Sequence, residues 1–149
     1  MPTYEGIDEL SWEFARSLFR VFPAWESLAR IVKDEKTSKN FVEIDVNQDG
    51  TDRVLHLSTA DDEITIGFDR WHTHVGPFLG LNTAESVATA MNIVEEFVAE
   101  KTVVKVVHRD GAWVQSSIEY LVASSEPEPH STTQVFSWRR THDAVIETS

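Results

Sequence analysis

The sequence predicts an α+β fold with a mainly antiparallel sheet, an N-terminal helical segment and one long central helix packed on one face. Helical periodicity is confined to the start and the centre of the chain, whereas strand-like alternation comes in consecutive runs joined by short turns. Strands that follow one another through short turns favour antiparallel pairing. A chain of 149 residues with 41% hydrophobic residues and five tryptophans suits a single globular domain, residues 1–149.

Two main segments carry the helical periodicity. Over residues 7–21, apolar side chains recur three and four positions apart, which predicts an amphipathic helix, and a shorter helical pattern follows over residues 24–32. The central helix is predicted to start at Asn82 or Thr83, either of which can cap it, and to end at Ala99.

Alternating apolar and polar residues predict hairpins on both sides of the central helix. The predicted strands cover residues 41–46, 53–58, 64–68, 103–107, 112–122 and 132–139. Residues 71–75 either continue the third strand past a bulge or open another strand. The turn at Asp110-Gly111 is a two-residue hairpin signal, residues 124–129 form a loop, and the residues after 139 are expected to fray.

The composition excludes several kinds of chemistry. The chain has no cysteine, which rules out disulfides, thiolate metal sites and cysteine nucleophiles. Its net charge of −12 would repel nucleic acid and anionic lipid, so direct binding to nucleic acid or membrane is disfavoured. No apolar run approaches the roughly 20 residues of a membrane span, and the N-terminus lacks a signal-peptide pattern. We therefore expect a soluble cytoplasmic protein.

The acidic charge is concentrated in the middle of the chain. Residues 43–69 hold eight acidic residues and one base, Arg53, whereas residues 1–40 hold seven acidic and six basic residues. The eight are Glu43, Asp45, Asp49, Asp52, Asp61, Asp62, Glu63 and Asp69. Acidity often serves only solubility. Its local concentration favours a surface that meets a basic partner.

A pair of histidines follows this acidic region. His72 and His74 are two residues apart, so on a strand both imidazoles would project from the same face, as two ligands of one metal do. Asp69, His56 or His108 could supply a third ligand. Spacing of this kind is also common in histidines that only make surface hydrogen bonds, so both interpretations stay open.

Other chemical motifs are incomplete. Residues 45–50 (Asp-Val-Asn-Gln-Asp-Gly) match the opening of an EF-hand calcium loop, but His56 stands where the bidentate glutamate should be. The segment is therefore interpreted as a hairpin turn. The chain contains no nucleophile elbow, phosphate-binding glycine loop or dinucleotide motif, so no catalytic residue, resident metal or cofactor is predicted.

The tryptophans differ in their sequence surroundings. Trp12 and Trp25 lie in helical apolar stripes and are predicted to be core residues. Trp71 and Trp113 neighbour polar residues or turns, which makes them candidates for an interface. Packing beneath a loop is the alternative for both.

One segment resembles a known class of proteins. Residues 64–77, Ile-Thr-Ile-Gly-Phe-Asp-Arg-Trp-His-Thr-His-Val-Gly-Pro, followed by a helix and a hairpin, resemble segments of small immunity proteins from bacterial polymorphic-toxin systems. The resemblance covers about 80 residues, from Phe41 to Tyr120. It implies a cytosolic, non-catalytic protein that binds a cognate toxin domain and blocks it.

These observations lead to one main functional hypothesis and two alternatives. The main hypothesis is an immunity protein that neutralises a basic toxin, such as a nuclease, through an acidic surface. The predicted contact residues are Asp61, Asp62, Glu63, Asp69, Trp71, His72 and His74. The first alternative is a metal-dependent enzyme or small-ligand-binding module centred on His72 and His74. The second is an oligomerisation subunit, and the sequence does not predict the oligomeric state.

Overall fold

A computed structural model describes residues 4–48, 51–121 and 128–149. The described residues form α1 (Glu9–Val21), β1 (Arg30–Lys33), β2 (Asn40–Asn47), β3 (Val54–Ser58), β4 (Ile64–Phe68), β5 (Trp71–Val75), α2 (Thr83–Val98), β6 (Thr102–Arg109), β7 (Ala112–Tyr120), β8 (Thr132–Phe136) and β9 (Ala144–Glu147). Short 3₁₀ turns lie at Pro23–Leu28, Ala60–Asp62 and Pro77–Leu79. The predicted α+β class is confirmed.

The described strands form two antiparallel sheets rather than one. The first sheet has the order β1-β2-β3-β4-β5, and the second has the order β7-β6-β8-β9. Along the chain, α2 lies between the last strand of the first sheet, β5, and the first strand of the second sheet, β6. The helix packs against β4, β5 and β6. The edge strands β5 and β7 contact each other.

The central helix begins where its capping signal predicts. The Asn82 side chain accepts a hydrogen bond from the Glu85 amide at 2.8 Å, and the Glu85 carboxylate accepts one from the Asn82 amide at 3.3 Å. This reciprocal pair is a capping box, which satisfies two amides that have no partner within the helix. The predicted central helix is therefore confirmed, with its last helical residue at Val98.

Both helices cover the same face of the first sheet. Phe14, Leu18, Val94 and the inward side chains of β2, β3 and β4 are buried in one core. A buried polar contact fixes α1 on this sheet, since the Ser11 and Thr59 hydroxyls lie 2.6 Å apart. Thr59 also accepts a hydrogen bond from the Val42 amide at 3.0 Å.

Three aromatic side chains connect the first sheet, α2 and the second sheet. We call Phe68, Phe97 and Trp138 the aromatic junction. The Phe68 ring lies 4.7 Å from Phe97 and 6.1 Å from Trp138, and the Phe97 and Trp138 rings are 6.0 Å apart. Edge-on and tilted contacts of this kind add to the apolar area that the rings bury.

Two sequence expectations differ from the structure, and one open alternative is resolved. The helical pattern predicted over residues 24–32 is wrong, because a 3₁₀ turn over Pro23–Leu28 is followed by β1, whose β-branched Ile31 and Val32 pair with β2. Residues 71–75 form a separate strand after a two-residue turn. The prediction that the residues after 139 fray is also wrong, because β9 pairs with β8 and forms the edge of the second sheet.

Parts of three predictions lie outside the described residues, namely Asp49 and Gly50 of the predicted hairpin turn, Val122, and residues 124–127 of the predicted loop. In the described part of the chain, neither helix has the length and apolar character that a membrane crossing requires.

Replacing Phe97 with alanine should reduce the free energy of unfolding by about 3–5 kcal/mol, because the residue is 1% exposed and its loss leaves a cavity in the aromatic junction. Phe78→Ala is the matched control, since Phe78 is 60% exposed and should change stability by less than about 1 kcal/mol. Urea unfolding followed by tryptophan fluorescence measures both values. Equal losses in the two variants would contradict the role given to the junction.

Candidate functional site

The first sheet leaves the face opposite the helices partly open to solvent. We call this the outer face. Cross-strand register places Asp45, His56, Gly67 and His72 side by side in one row across four strands. Because alternate residues of a strand share a face, the neighbouring row carries Glu43, Ser58, Thr65 and His74. Three of the six histidines therefore lie on one sheet face.

Ion pairs connect the first three strands across the outer face. Arg30 Nη2 donates to Glu43 Oε1 at 2.8 Å and to Asp45 Oδ2 at 2.7 Å. The His56 ring donates from Nδ1 to Asp45 Oδ1 at 2.6 Å. Burial acts to raise the pKa of Asp45, but the hydrogen bonds from His56 and Arg30 outweigh it and hold the pKa below its ordinary value of 3.8.

Glu43, Asp45 and His56 also have the ligand types of a metal site. Within the described residues they form the one group of three acidic or histidine side chains whose ligand atoms all lie within 4.8 Å of one another. Arg30 donates to both carboxylates and His56 donates to Asp45, so ion pairing and hydrogen bonding account for the group without a metal.

The predicted histidine pair is exposed on the outer face of β5. The His72 and His74 rings meet edge to face with their centres 5.2 Å apart. His74 Nδ1 lies 2.9 Å from Glu63 Oε1 and 3.0 Å from the Thr65 hydroxyl. In the part of the chain that the structure describes, no group of three ligand atoms within 4.8 Å includes either histidine.

Six of the seven predicted contact residues lie along the β4–β5 hairpin and face outward or lie in its flanking turns. We call these six the contact strip. They are Asp61, Asp62, Glu63, Asp69, His72 and His74. From Asp62 to Asp69 the strip spans seven residues, or roughly 23 Å of extended chain. The six residues are therefore spread along the hairpin rather than gathered around one point.

Both ends of the contact strip have left-handed backbone conformations. Asp61 and Asp62 have φ of 61° and 57°, and Asp69 has φ of 54°. Aspartate tolerates this region better than most residues, because its short side chain forms local hydrogen bonds. Asp62 lies 3.7 Å from the Lys39 ammonium, whereas Asp61 and Asp69 have no partner among the described residues.

The seventh predicted contact residue, Trp71, is a core residue. Its side chain is 7% exposed and belongs to the main hydrophobic cluster. Strand alternation explains the difference, because Trp71, Thr73 and Val75 face inward when the two histidines face outward. The prediction that Trp71 lies on the contact surface is therefore wrong.

The other tryptophans also divide differently from the sequence prediction. Trp12 was predicted to be buried but is 43% exposed, since it lies at the margin of the apolar stripe of α1 and contacts the Tyr4 ring. Trp25 is half-buried and stacks on Phe22. Trp113 is 51% exposed, as an interface candidate requires. Its indole donates to the Ser116 hydroxyl, which donates to the Arg70 carbonyl, both at 2.9 Å.

Sequence reasoning did not find a cavity at the turn end of the first sheet. The cavity has a volume of about 730 Å³ and is lined by Asp52, Arg53, Val54, His56, Gly67, Phe68, Asp69, Arg70, Trp71, His72, Phe136 and Arg140. Its residues come from four strands and three turns, which no local motif connects. The sequence signal that could have pointed to it is Gly67, an isolated glycine within a strand pattern, which is typical of a close approach by another group.

The wall of the cavity is fixed by an ion pair to the C-terminal segment. Arg53 donates to the Asp143 carboxylate and to the Ser137 carbonyl, and its guanidinium lies 5.4 Å from the Phe136 ring centre. Burial acts to raise the pKa of Asp143, but hydrogen bonds from Arg53 and from the Ser137 amide hold it below 3.8.

Comparison with protein-family models, curated proteins and solved structures finds no match to this chain. The resemblance to immunity proteins therefore stays a prediction.

The pH dependence of stability should report the Asp143 contact. Because the folded pKa is lowered, the ionised carboxylate stabilises the fold above pH 3.8, and this contribution is lost as the pH falls through the folded pKa. Asp143→Asn should lower the free energy of unfolding by about 1 kcal/mol at neutral pH. It should also make the acid limb, the fall in this free energy at acidic pH, less steep. Urea unfolding between neutral pH and the acid limit measures both effects.

Asp52→Asn is the control for that prediction, since Asp52 is almost fully exposed and lies 3.6 Å from Arg140. An unchanged acid limb in Asp143→Asn would show that the ion pair does not stabilise the C-terminal segment.

Proposed function

We propose that this protein is an immunity protein, a cytoplasmic and non-catalytic protein that binds a cognate bacterial toxin domain and neutralises it. The observation that carries the proposal is the contact strip, which places six candidate residues along one hairpin at the edge of a sheet. Edge strands and open sheet faces are where antiparallel sheets meet partners. A strip of roughly 23 Å is comparable to the width of a standard interface of about 800 Å² per partner.

Charge supports a basic partner. The chain has a net charge of −12, and the exposed carboxylates of Asp61 and Asp69 have no ion-pair partner among the described residues. Unpaired surface carboxylates accelerate association with a basic protein and are screened by salt. A nuclease domain fits this chemistry because its substrate groove is built for phosphates, which carboxylates can mimic.

Trp113 supplies an aromatic anchor beside the strip. It lies with Val114, Arg70 and His72 around a small surface depression where β5 and β7 meet. The Ser116 hydrogen bond holds the indole N–H and leaves much of the ring exposed. Tryptophan and arginine are the residue types that most often dominate binding energy at protein interfaces.

The experiment that tests the proposal is a pull-down from the native host with this chain as bait, washed at increasing salt. A single basic partner that is toxic in cells lacking this chain would support the proposal. No specific partner, together with stoichiometric metal in untagged protein, would instead favour the metal-dependent alternative at His72 and His74.

Replacing Asp61, Asp62 and Asp69 together with asparagine should slow association with the captured partner at least about tenfold at low salt, because the steering charge is removed. The difference from the unmodified protein should shrink as salt rises. Stopped-flow or surface-plasmon-resonance association rates at several salt concentrations measure this effect.

The matched control changes the same number of charges elsewhere, at the exposed residues Glu5, Glu95 and Glu147, each to glutamine. If both triple variants slow association equally, only net charge matters, and the contact strip is not the site.

Trp113→Ala should weaken partner binding about tenfold or more, mainly through faster dissociation, because an anchor ring leaves the interface. Trp12→Ala is the control, since Trp12 is similarly exposed but lies on α1. Dissociation rates from the same sensor surface distinguish the two. A larger effect of Trp12→Ala would place the interface on the helices.

A further inference from the structure

The cavity at the turn end of the first sheet has an open floor between two imidazoles. His56, Gly67 and His72 lie side by side on β3, β4 and β5. A Cβ atom built on Gly67 would lie 3.8 Å from the His72 Cβ and 3.9 Å from the His56 Cβ, which are ordinary contacts. A side chain would therefore fit on the backbone at this position, and its absence leaves room for a ligand.

The charges around this floor are unlike those of the whole chain. Three of the eight arginines line the cavity, together with the two histidines. Asp52 and Asp69 lie on the rim and Asp143 pairs with Arg53, so these six charges sum to zero, whereas the whole chain carries −12. Arginine is therefore concentrated here within an acidic protein, which favours an anionic ligand over a cationic one.

Two of the three arginines can reach a ligand. Arg53 is held by Asp143 and by the Ser137 carbonyl. Arg70 has no ion-pair partner among residues 4–48, 51–121 and 128–149. Within the part of the chain that the structure describes, the Arg140 guanidinium has a single ion-pair contact, at 3.6 Å to Asp52, whose side chain is 98% exposed. Solvent screens such a pair.

His56 adds a fixed hydrogen-bonding group. Because Asp45 accepts its Nδ1–H at 2.6 Å, the ring is oriented and a neutral imidazole keeps Nε2 as an acceptor. A hydroxyl group on the ligand would suit this acceptor, while the arginines would bind carboxylate or phosphate oxygens.

We infer that this cavity binds a small organic oxyanion that carries a hydroxyl group. The volume of about 730 Å³ lies within the usual range of small-molecule pockets. Asp69 and His72 belong both to this cavity and to the contact strip. The two proposals nevertheless depend on different groups, since the oxyanion needs Arg70 and Arg140 and the toxin needs the carboxylates of the contact strip.

The test is an NMR titration of the ¹⁵N-labelled full chain with citrate and with inorganic phosphate at constant ionic strength. Saturable shifts centred on Gly67, Arg70 and His72, with citrate binding tighter than phosphate, are expected. Arg70→Gln and Arg140→Gln should each weaken citrate binding about tenfold, the value expected for a lost charged hydrogen bond. Lys36→Gln removes one positive charge far from the cavity and should leave binding unchanged.

Two further variants separate this inference from the immunity function. Gly67→Val fills the floor with a residue that strands favour, so it should abolish citrate binding in a folded protein. Asp69→Asn should strengthen citrate binding but slow association with a basic partner. The inference would be overturned if the chemical shifts do not saturate by about 10 mM citrate, or if Arg70→Gln, Arg140→Gln and Gly67→Val all leave citrate binding unchanged. Either result would leave the immunity proposal untouched.

Discussion

Phe68, Phe97 and Trp138 bring together three parts of the chain that no local signal connects. Phe68 ends β4, Phe97 lies in the last turn of α2, and Trp138 follows β8. Their contacts, all between 4.7 and 6.1 Å, hold the second sheet against the turn end of the first. The turn at Asp69, the cavity beside it and the contact between β5 and β7 all depend on this placement.

Strand alternation links the core to the proposed contact surface. In β5, burial of Trp71 and Val75 against the helices leaves His72 and His74 on the outer face. A register shift of one residue would bury the histidines and expose the tryptophan. The packing of the core therefore also determines which groups of β5 a partner could reach, and the proposed contact surface requires no special fold element of its own.

The parts of the fold that the sequence predicts are those with local causes. The start of α2 after Asn82, one of two predicted caps, and the turn at Asp110-Gly111 each follow from a few neighbouring residues, and both are present. The strands β1 and β9 were missed because each has only four residues, too few for a clear alternating pattern, and each forms by pairing with the edge of a neighbouring strand. The cavity and the inward direction of Trp71 depend on sheet register and tertiary packing, which periodicity alone does not determine.

The central claim is that the β4–β5 hairpin, with Trp113 beside it, is the surface that binds a basic toxin. Hydrogen-exchange mass spectrometry of this chain, free and bound to its captured partner, tests the claim most directly. Protection confined to residues 61–74 and 112–116 is the result we predict. Protection of α1 and α2, with unchanged exchange in the hairpin, would contradict the claim.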